Sequence, residues 1–191
     1  TLRNCLVYNT YIDTLRLSGH FGVYTKDGLK ETALKNFYTA KEFYIDKPKT
    51  AVDDLIFDGY LFFAGKIRLK KELMLDKTDV SLKISGRIHF AKLYVNGEYA
   101  GDYMFNDTLD ISKFAKLGKN EIEVELLTGS RNLFGPFHDK KKVESFWVGP
   151  SSFSFYGHWN NFEYEGYTDT YSFARAGIFE CDGQFRIVVD Y

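Results

Sequence analysis

Cysteine is nearly missing from this 191-residue chain: two are present, Cys5 and Cys181, one near each end. So few exclude a disulfide framework, and neither has a second Cys or His at a zinc-like spacing. Both are expected as buried free thiols, with a bridge between terminal strands as the alternative. Charge of one sign is also missing: 25 Lys and Arg stand against 26 Asp and Glu, leaving a net charge of -1. That balance gives no general pull toward the phosphates of a nucleic acid or toward an anionic membrane, and neither is expected as a partner. No apolar run approaches the roughly 18 to 20 residues needed to span a bilayer as a helix. The four histidines, His20, His89, His138 and His158, are too scattered for a metal triad or a nucleophile and base. No Gly-x-Ser-x-Gly elbow, phosphate-cradling glycine loop or HExxH occurs, so no metal, cofactor or catalytic group is expected.

What the chain has in quantity is rings. Aromatic residues make up 18%, with 18 Phe and 14 Tyr, which suits β-structure with ring-rich surfaces. Its length is enough for one sizeable core. Residues 121–126 alternate Glu121, Glu123 and Glu125 with Ile122, Val124 and Leu126, a strand with one wet and one dry face. Ile67 and Leu69 alternate with Arg68 and Lys70; Val80, Leu82 and Ile84 alternate with Ser81, Lys83 and Ser85; residues 88–95 continue after Gly86. Asn96-Gly97 reads as a two-residue hairpin turn, since both residues tolerate the positive φ of a primed turn. Strands at roughly ten-residue spacing with glycine-containing turns predict a sandwich. Further strands are predicted at 5–12, 21–25, 170–174 and 184–189. One helix is expected, over 31–44, where Ala33, Leu34, Phe37, Tyr38, Ala40 and Tyr44 fall three and four apart with lysines opposite. Pro48 marks the loop that follows it.

The order of strand, Val95-Asn96-Gly97, returning strand, aspartate-rich turn, Leu109-Asp110-Ile111-Ser112, Gly118-Lys119-Asn120 and the 121–126 strand resembles a known family. It is similar to the sugar-binding β-sandwich of family-two glycoside hydrolases and of related accessory domains in bacterial rhamnosidase-like and galactosidase-like enzymes. Residues 58–67, from Asp58-Gly59-Tyr60 to Gly65-Lys66-Ile67, are similar to the opening strand of such domains. Residues 131–138, from Arg131-Asn132-Leu133 to Pro136-Phe137-His138, are similar to a stretch that there ends in two histidines. Phe137 stands where the family often has the first of them, and Leu61 where it often has proline. The resemblance covers roughly residues 55 to 190. It implies an all-β, galactose-binding-like jelly roll at 55–191, preceded by an N-terminal segment, 1–54, carrying the helix and strands that pack on or lead into the sandwich. Together these are expected to form one structural domain of a longer protein, whose catalytic domain is then a partner and whose upstream sequence sets its localisation.

The long connection from Arg131 to Gly166 breaks the ten-residue rhythm and holds both tryptophans. Long connections in compact domains are usually functional or disordered, and this one is too rich in rings for disorder. Carbohydrate recognition needs a flat ring against the apolar face of a sugar and amide, guanidinium or imidazole groups around its edge. Trp147, Tyr156, His158, Trp159, Asn160, Arg131, Asn132 and His138 have those chemistries and are the candidate carbohydrate-binding residues. The plainer reading keeps Trp147 as a core ring and gives Arg131 a nearby carboxylate. Asp53, Asp54, Asp102, Asp107 and Asp110 are expected to serve turns, with a structural calcium, which takes about six to eight oxygens, as the lesser alternative. A glycosidase needs only two carboxylates about 5 to 10 Å apart, but no pair is singled out here. The leading expectation is a non-catalytic carbohydrate-binding or substrate-positioning accessory domain of a bacterial glycoside hydrolase. The competing one is a structural sandwich that packs against its neighbour through the 31–44 helix.

Overall fold

The computed structural model describes residues 17–52, 54–135, 138, 144, 168–178 and 185–188. The strands before the first long one are short: β1 (Gly22–Thr25), β2 (Lys30–Glu31), β3 (Phe37–Ala40), β4 (Phe43–Asp46) and β5 (Ala51–Val52). Then come β6 (Lys66–Leu75), β7 (Ser81–Lys83), β8 (Gly86–Arg87), β9 (Phe90–Val95), β10 (Glu98–Tyr103), β11 (Thr108–Asp110) and β12 (Gly118–Leu127). A single helical turn, α1 (Arg131–Phe134), precedes β13 (Tyr171–Ala174), β14 (Gly177–Ile178) and β15 (Phe185–Val188). The fold is all-β, as the alternating pattern predicts.

The main layer is a six-stranded sheet in the order β10-β9-β12-β6-β15-β5, with every named pairing antiparallel. Its registers put Val124 opposite both Leu69 and Leu93, and Leu126 opposite both Ile67 and Ala91. The period of two then delivers one continuous apolar face. Ile178 of the two-stranded sheet β14-β8 and Ile84, just after β7 of the sheet β11-β7, lie against that face, with Leu82, Leu109 and Val80 packed around them. These layers enclose the larger core. Tyr103 is buried in it, and its hydroxyl donates to Leu82 O at 2.8 Å, which satisfies the polar tip inside. Burial pushes the phenol well above its ordinary range, so the ring stays neutral. At the β9–β10 turn Asn96 and Gly97 both take positive φ, 52° and 85°, the backbone that a primed turn requires.

A smaller core lies between the two-stranded sheet β1-β4, the sheet β13-β3-β2 and the turns of residues 54–63. Phe173, Ala40, Ile56 and Leu61 form its centre. Around them Phe43, Phe62 and Phe173 meet edge to face at 5.1 to 5.9 Å, the arrangement that ring quadrupoles favour.

The expected helix over 31–44 is overturned: the chain there forms β2, a turn, β3 and the first half of β4. Asn36 takes φ 72°, which interrupts any helix, and Thr32 N donates to Phe37 O to close the turn. The reason is tertiary. Phe37 pairs with Ala174 and Tyr38 with Phe173, from a strand far along the chain, and Phe37 and Phe173 are fully buried. Apolar spacing of three and four is satisfied equally by this local mixture of turn and strand, and β-favouring Phe, Tyr and Thr take the pairing offered. With the helix goes the feature that favoured packing on a neighbour. The predicted 5–12 strand and both cysteines lie outside the described residues.

Candidate functional site

Arg131 and Asn132 follow β12 and sit in α1, whose one turn lies on β13. Both are buried and face inward. The Asn132 amide donates to Ala174 O and accepts from Ala174 N, each at 2.8 Å, so that it copies a strand neighbour for β13. Arg131 donates to Ser172 O at 3.1 Å and to Ser172 Oγ at 2.9 Å. Burial, with Arg87 nearby as a second positive charge, pulls its guanidinium down to about 10, still charged at neutral pH. Asn132 thus pins a core strand. Asn132→Ala should therefore cost about 2 to 3 kcal/mol, because Ala174 N–H and C=O lose their partner inside the fold. Urea denaturation at neutral pH measures this, and a loss under about 0.5 kcal/mol, the usual size for surface changes, would contradict it.

His138 stands at the rim. Its Nδ1 lies 2.8 Å from Thr168 O, and its ring meets Tyr171 at 4.4 Å, itself in edge contact with Phe43 at 5.1 Å. Trp147, Tyr156, His158, Trp159 and Asn160 lie outside the described residues. Among the described residues no three His, Cys, Asp or Glu side chains gather to hold a metal. Asp107 instead pairs with Lys83 at 3.1 Å and accepts from Thr108, while Asp110 accepts from Ser112 at 2.6 Å. The hydrogen bond from Thr108, then that from Lys83, holds Asp107 below the usual carboxylate range; the bonds from Ser112 do the same for Asp110.

An open groove of about 190 Å³ lies over the smaller core, lined by Tyr24, Thr25, Gly28, Leu29, Tyr44, Ile56, Phe57 and Leu61. Ile56 and Leu61 belong to the core beneath, so the floor is held from below. Tyr24 and Tyr44 stack at 5.6 Å with planes 28° apart, joined through the register of β1 and β4. Phe57, fixed edge to face by Tyr38 at 5.1 Å, contributes a third ring. Tyr44 and Phe57 are each 44% exposed, well open for rings of their size. Gly59 makes the packing possible. A Cβ there would lie 2.7 Å from the Tyr24 ring, and its φ of 99° suits glycine. Tyr24 Oη donates to Lys47 O at 2.9 Å, which fixes the ring's tilt. Helical spacing over 31–44 puts Tyr44 on a helix, which hides this groove from the sequence. The signal was present in the runs Gly22–Thr25 and Phe43–Asp46, short β-favouring segments that each bring a tyrosine to the pair.

No family model and no curated protein matches the chain. Solved structures do. It is similar to a β-D-glucuronidase from Dictyoglomus thermophilum, with 20% identity, 58% of this chain and 19% of that one covered, and a TM-score of 0.33. For a rhamnosidase from Novosphingobium sp. PP1Y the values are 22% identity, 64% and 12% coverage, and 0.38. For a β-glucuronidase from Ruminococcus gnavus they are 16% identity, 59% and 22% coverage, and 0.34. All three are glycoside hydrolases, and this chain spans less than a quarter of each.

Proposed function

We propose that this chain is a non-catalytic accessory sandwich of a bacterial glycoside hydrolase, and that it holds a saccharide in the groove of Tyr24, Tyr44 and Phe57. The observation that carries this reading is the groove itself: exposed rings on a floor fixed by core residues. Sugars present C–H faces that rest on such rings, while their hydroxyls stay toward water or toward backbone and hydroxyl groups such as those of Gly28 and Thr25. The motif order at 92–126 and the 131–138 stretch support the same reading. Because Arg131 and Asn132 are committed to β13, the binding role assigned to them passes to the rings.

Isothermal titration of the chain with neutral oligosaccharides tests this. Tyr44→Ala and Phe57→Ala should each weaken binding about tenfold, on the order of 1.4 kcal/mol, at the upper end of what one ring contact supplies. Unchanged affinity in both variants would move the site elsewhere, and no binding by the wild-type chain would leave a scaffold. One observation favours that second reading: Phe105, beside the exposed Met104 in the β10–β11 connection, is 91% exposed. A neighbouring domain seated there would cover it.

A further inference from the structure

We propose a second binding site, for the carboxylate of a uronic-acid-bearing saccharide, on the outer face of the six-stranded sheet. It rests on the carbohydrate reading above and is distinct from the ring groove. The outer face is built in rows by the registers of β9, β12 and β6. Tyr94, Glu123 and Lys70 form one row; Asp102, Lys92, Glu125 and Arg68 the next; Phe90, Leu127 and Lys66 the last.

Of the three carboxylates in these rows, Glu123 and Glu125 lie against cations of β6. Glu123 lies 3.0 Å from Lys70 Nζ, and Glu125 lies 3.4 Å from Lys66 Nζ and 3.6 Å from Arg68 Nε. Glu123 and Glu125 side chains are only 17% and 14% exposed, so their charges are screened by the cations over them. Lys92 differs. It stands directly opposite Glu125, half-buried along its stem, yet among the described residues its ammonium enters no ion pair.

Beside it lies an open groove of about 340 Å³, lined by Lys66, Phe90, Lys92, Glu125 and Leu127. That volume is within the roughly 300 to 1,000 Å³ of small-ligand sites. Phe90 and Leu127 give it an apolar surface, and across the three rows Lys66, Arg68, Lys70 and Lys92 stand against Asp102, Glu123 and Glu125, one positive charge in excess. A ligand that fits needs an apolar ring face for Phe90 and Leu127 and one negative charge for Lys92 and Lys66. A uronic acid residue has both, whereas a neutral hexose leaves the ammonium groups with water.

The test titrates the full chain with a glucuronyl-glucose disaccharide and with its neutral counterpart cellobiose, at low and high salt. The uronate should bind at least tenfold more tightly at low salt, lose that advantage at high salt, and lose it in Lys92→Ala and in Lys66→Ala/Lys92→Ala. Thermal unfolding of Lys92→Ala should match the wild type, since its ammonium holds no ion pair among the described residues. Cellobiose binding should be indifferent to the lysine variants and fall in Tyr44→Ala. Cellobiose bound at the rings with no lysine-dependent preference for the uronate overturns this site and leaves the first standing. Lysine-dependent uronate binding without any cellobiose binding supports this site and overturns the ring groove. Oligoglutamate displacing the uronate at equal carboxylate concentration would overturn the saccharide as its ligand.

Discussion

Arg175→Met should destabilise the chain by about 3 to 5 kcal/mol, the usual consequence of stripping the partner from a buried charge. The charge is that of Asp54, whose Oδ2 accepts from Arg175 Nε while Oδ1 accepts from Ile56 N at 3.2 Å. Asp54 also donates its N–H to Asp58 Oδ2 at 3.1 Å, and its carbonyl receives Phe57 N and Asp58 N. These bonds build the turn that presents Phe57 and floors the ring groove. Arg175, one residue past β13, ties that turn to the sheet, and its own N–H donates to Asn36 O at 2.8 Å. Burial raises the Asp54 carboxyl above its ordinary range, and the guanidinium offsets this only in part.

The sign of the pH dependence follows. Above the ordinary carboxylate range, about pH 4, the folded form holds the Asp54 proton more tightly than the unfolded chain, so this group's contribution to stability falls as pH rises through its folded pKa. Without Arg175 that folded pKa moves higher, and the loss between pH 5 and pH 7 should grow. Asp54→Asn in the Arg175→Met background should recover most of the stability and flatten the dependence, since a neutral amide needs no counter-ion. Urea denaturation of the three proteins at both pH values measures it. A single variant within about 1 kcal/mol of wild type, on the scale of an exposed pair, would contradict the assignment.

Asn120→Ala should cost about 3 to 4 kcal/mol, at the upper end for one side chain outside the apolar core. Asn120 is fully buried at the start of β12. Its Oδ1 accepts from Asn96 Nδ2 at 2.9 Å and from Lys116 N at 2.9 Å; its Nδ2 donates to Lys116 O at 2.7 Å and Gly118 O at 3.0 Å. One amide therefore closes the 116–118 loop and locks it to the β9–β10 turn, where Asn96 also donates to Phe114 O. Asn120→Asp should be no better, because a carboxylate cannot donate to the two carbonyls facing it. A thermal melt for Asn120→Ala within a degree or two of wild type would sink this account of the turn.

The large sheet was legible because its information is local. Ile122, Val124 and Leu126 announce their face by period two, and Asn96-Gly97 and Gly118 declare their turns by residue type. Residues 31–44 were misread because their pairing partner, β13, lies some 130 positions on, and no window of local periodicity contains it. The same non-locality hid the site. Arg131 and Asn132 have the right chemistry for a sugar, yet their orientation depends on Ser172 and Ala174. Tyr24, Tyr44 and Phe57 come from three segments that meet only when the smaller core forms. The outer-face glutamates, expected to face water, instead lie beneath a ladder of cations, a fact set by the β6–β12 register.

The central claim, an open aromatic groove as the place where a neutral saccharide rests, is tested most directly by amide chemical-shift mapping of the isotope-labelled chain during titration with cellobiose and related oligosaccharides. The account predicts saturable shifts concentrated at Tyr24 to Leu29, Tyr44 and Ile56 to Leu61, with the midpoint moved about tenfold higher in Tyr44→Ala. Shifts confined to other surfaces, or none at millimolar ligand, would contradict it.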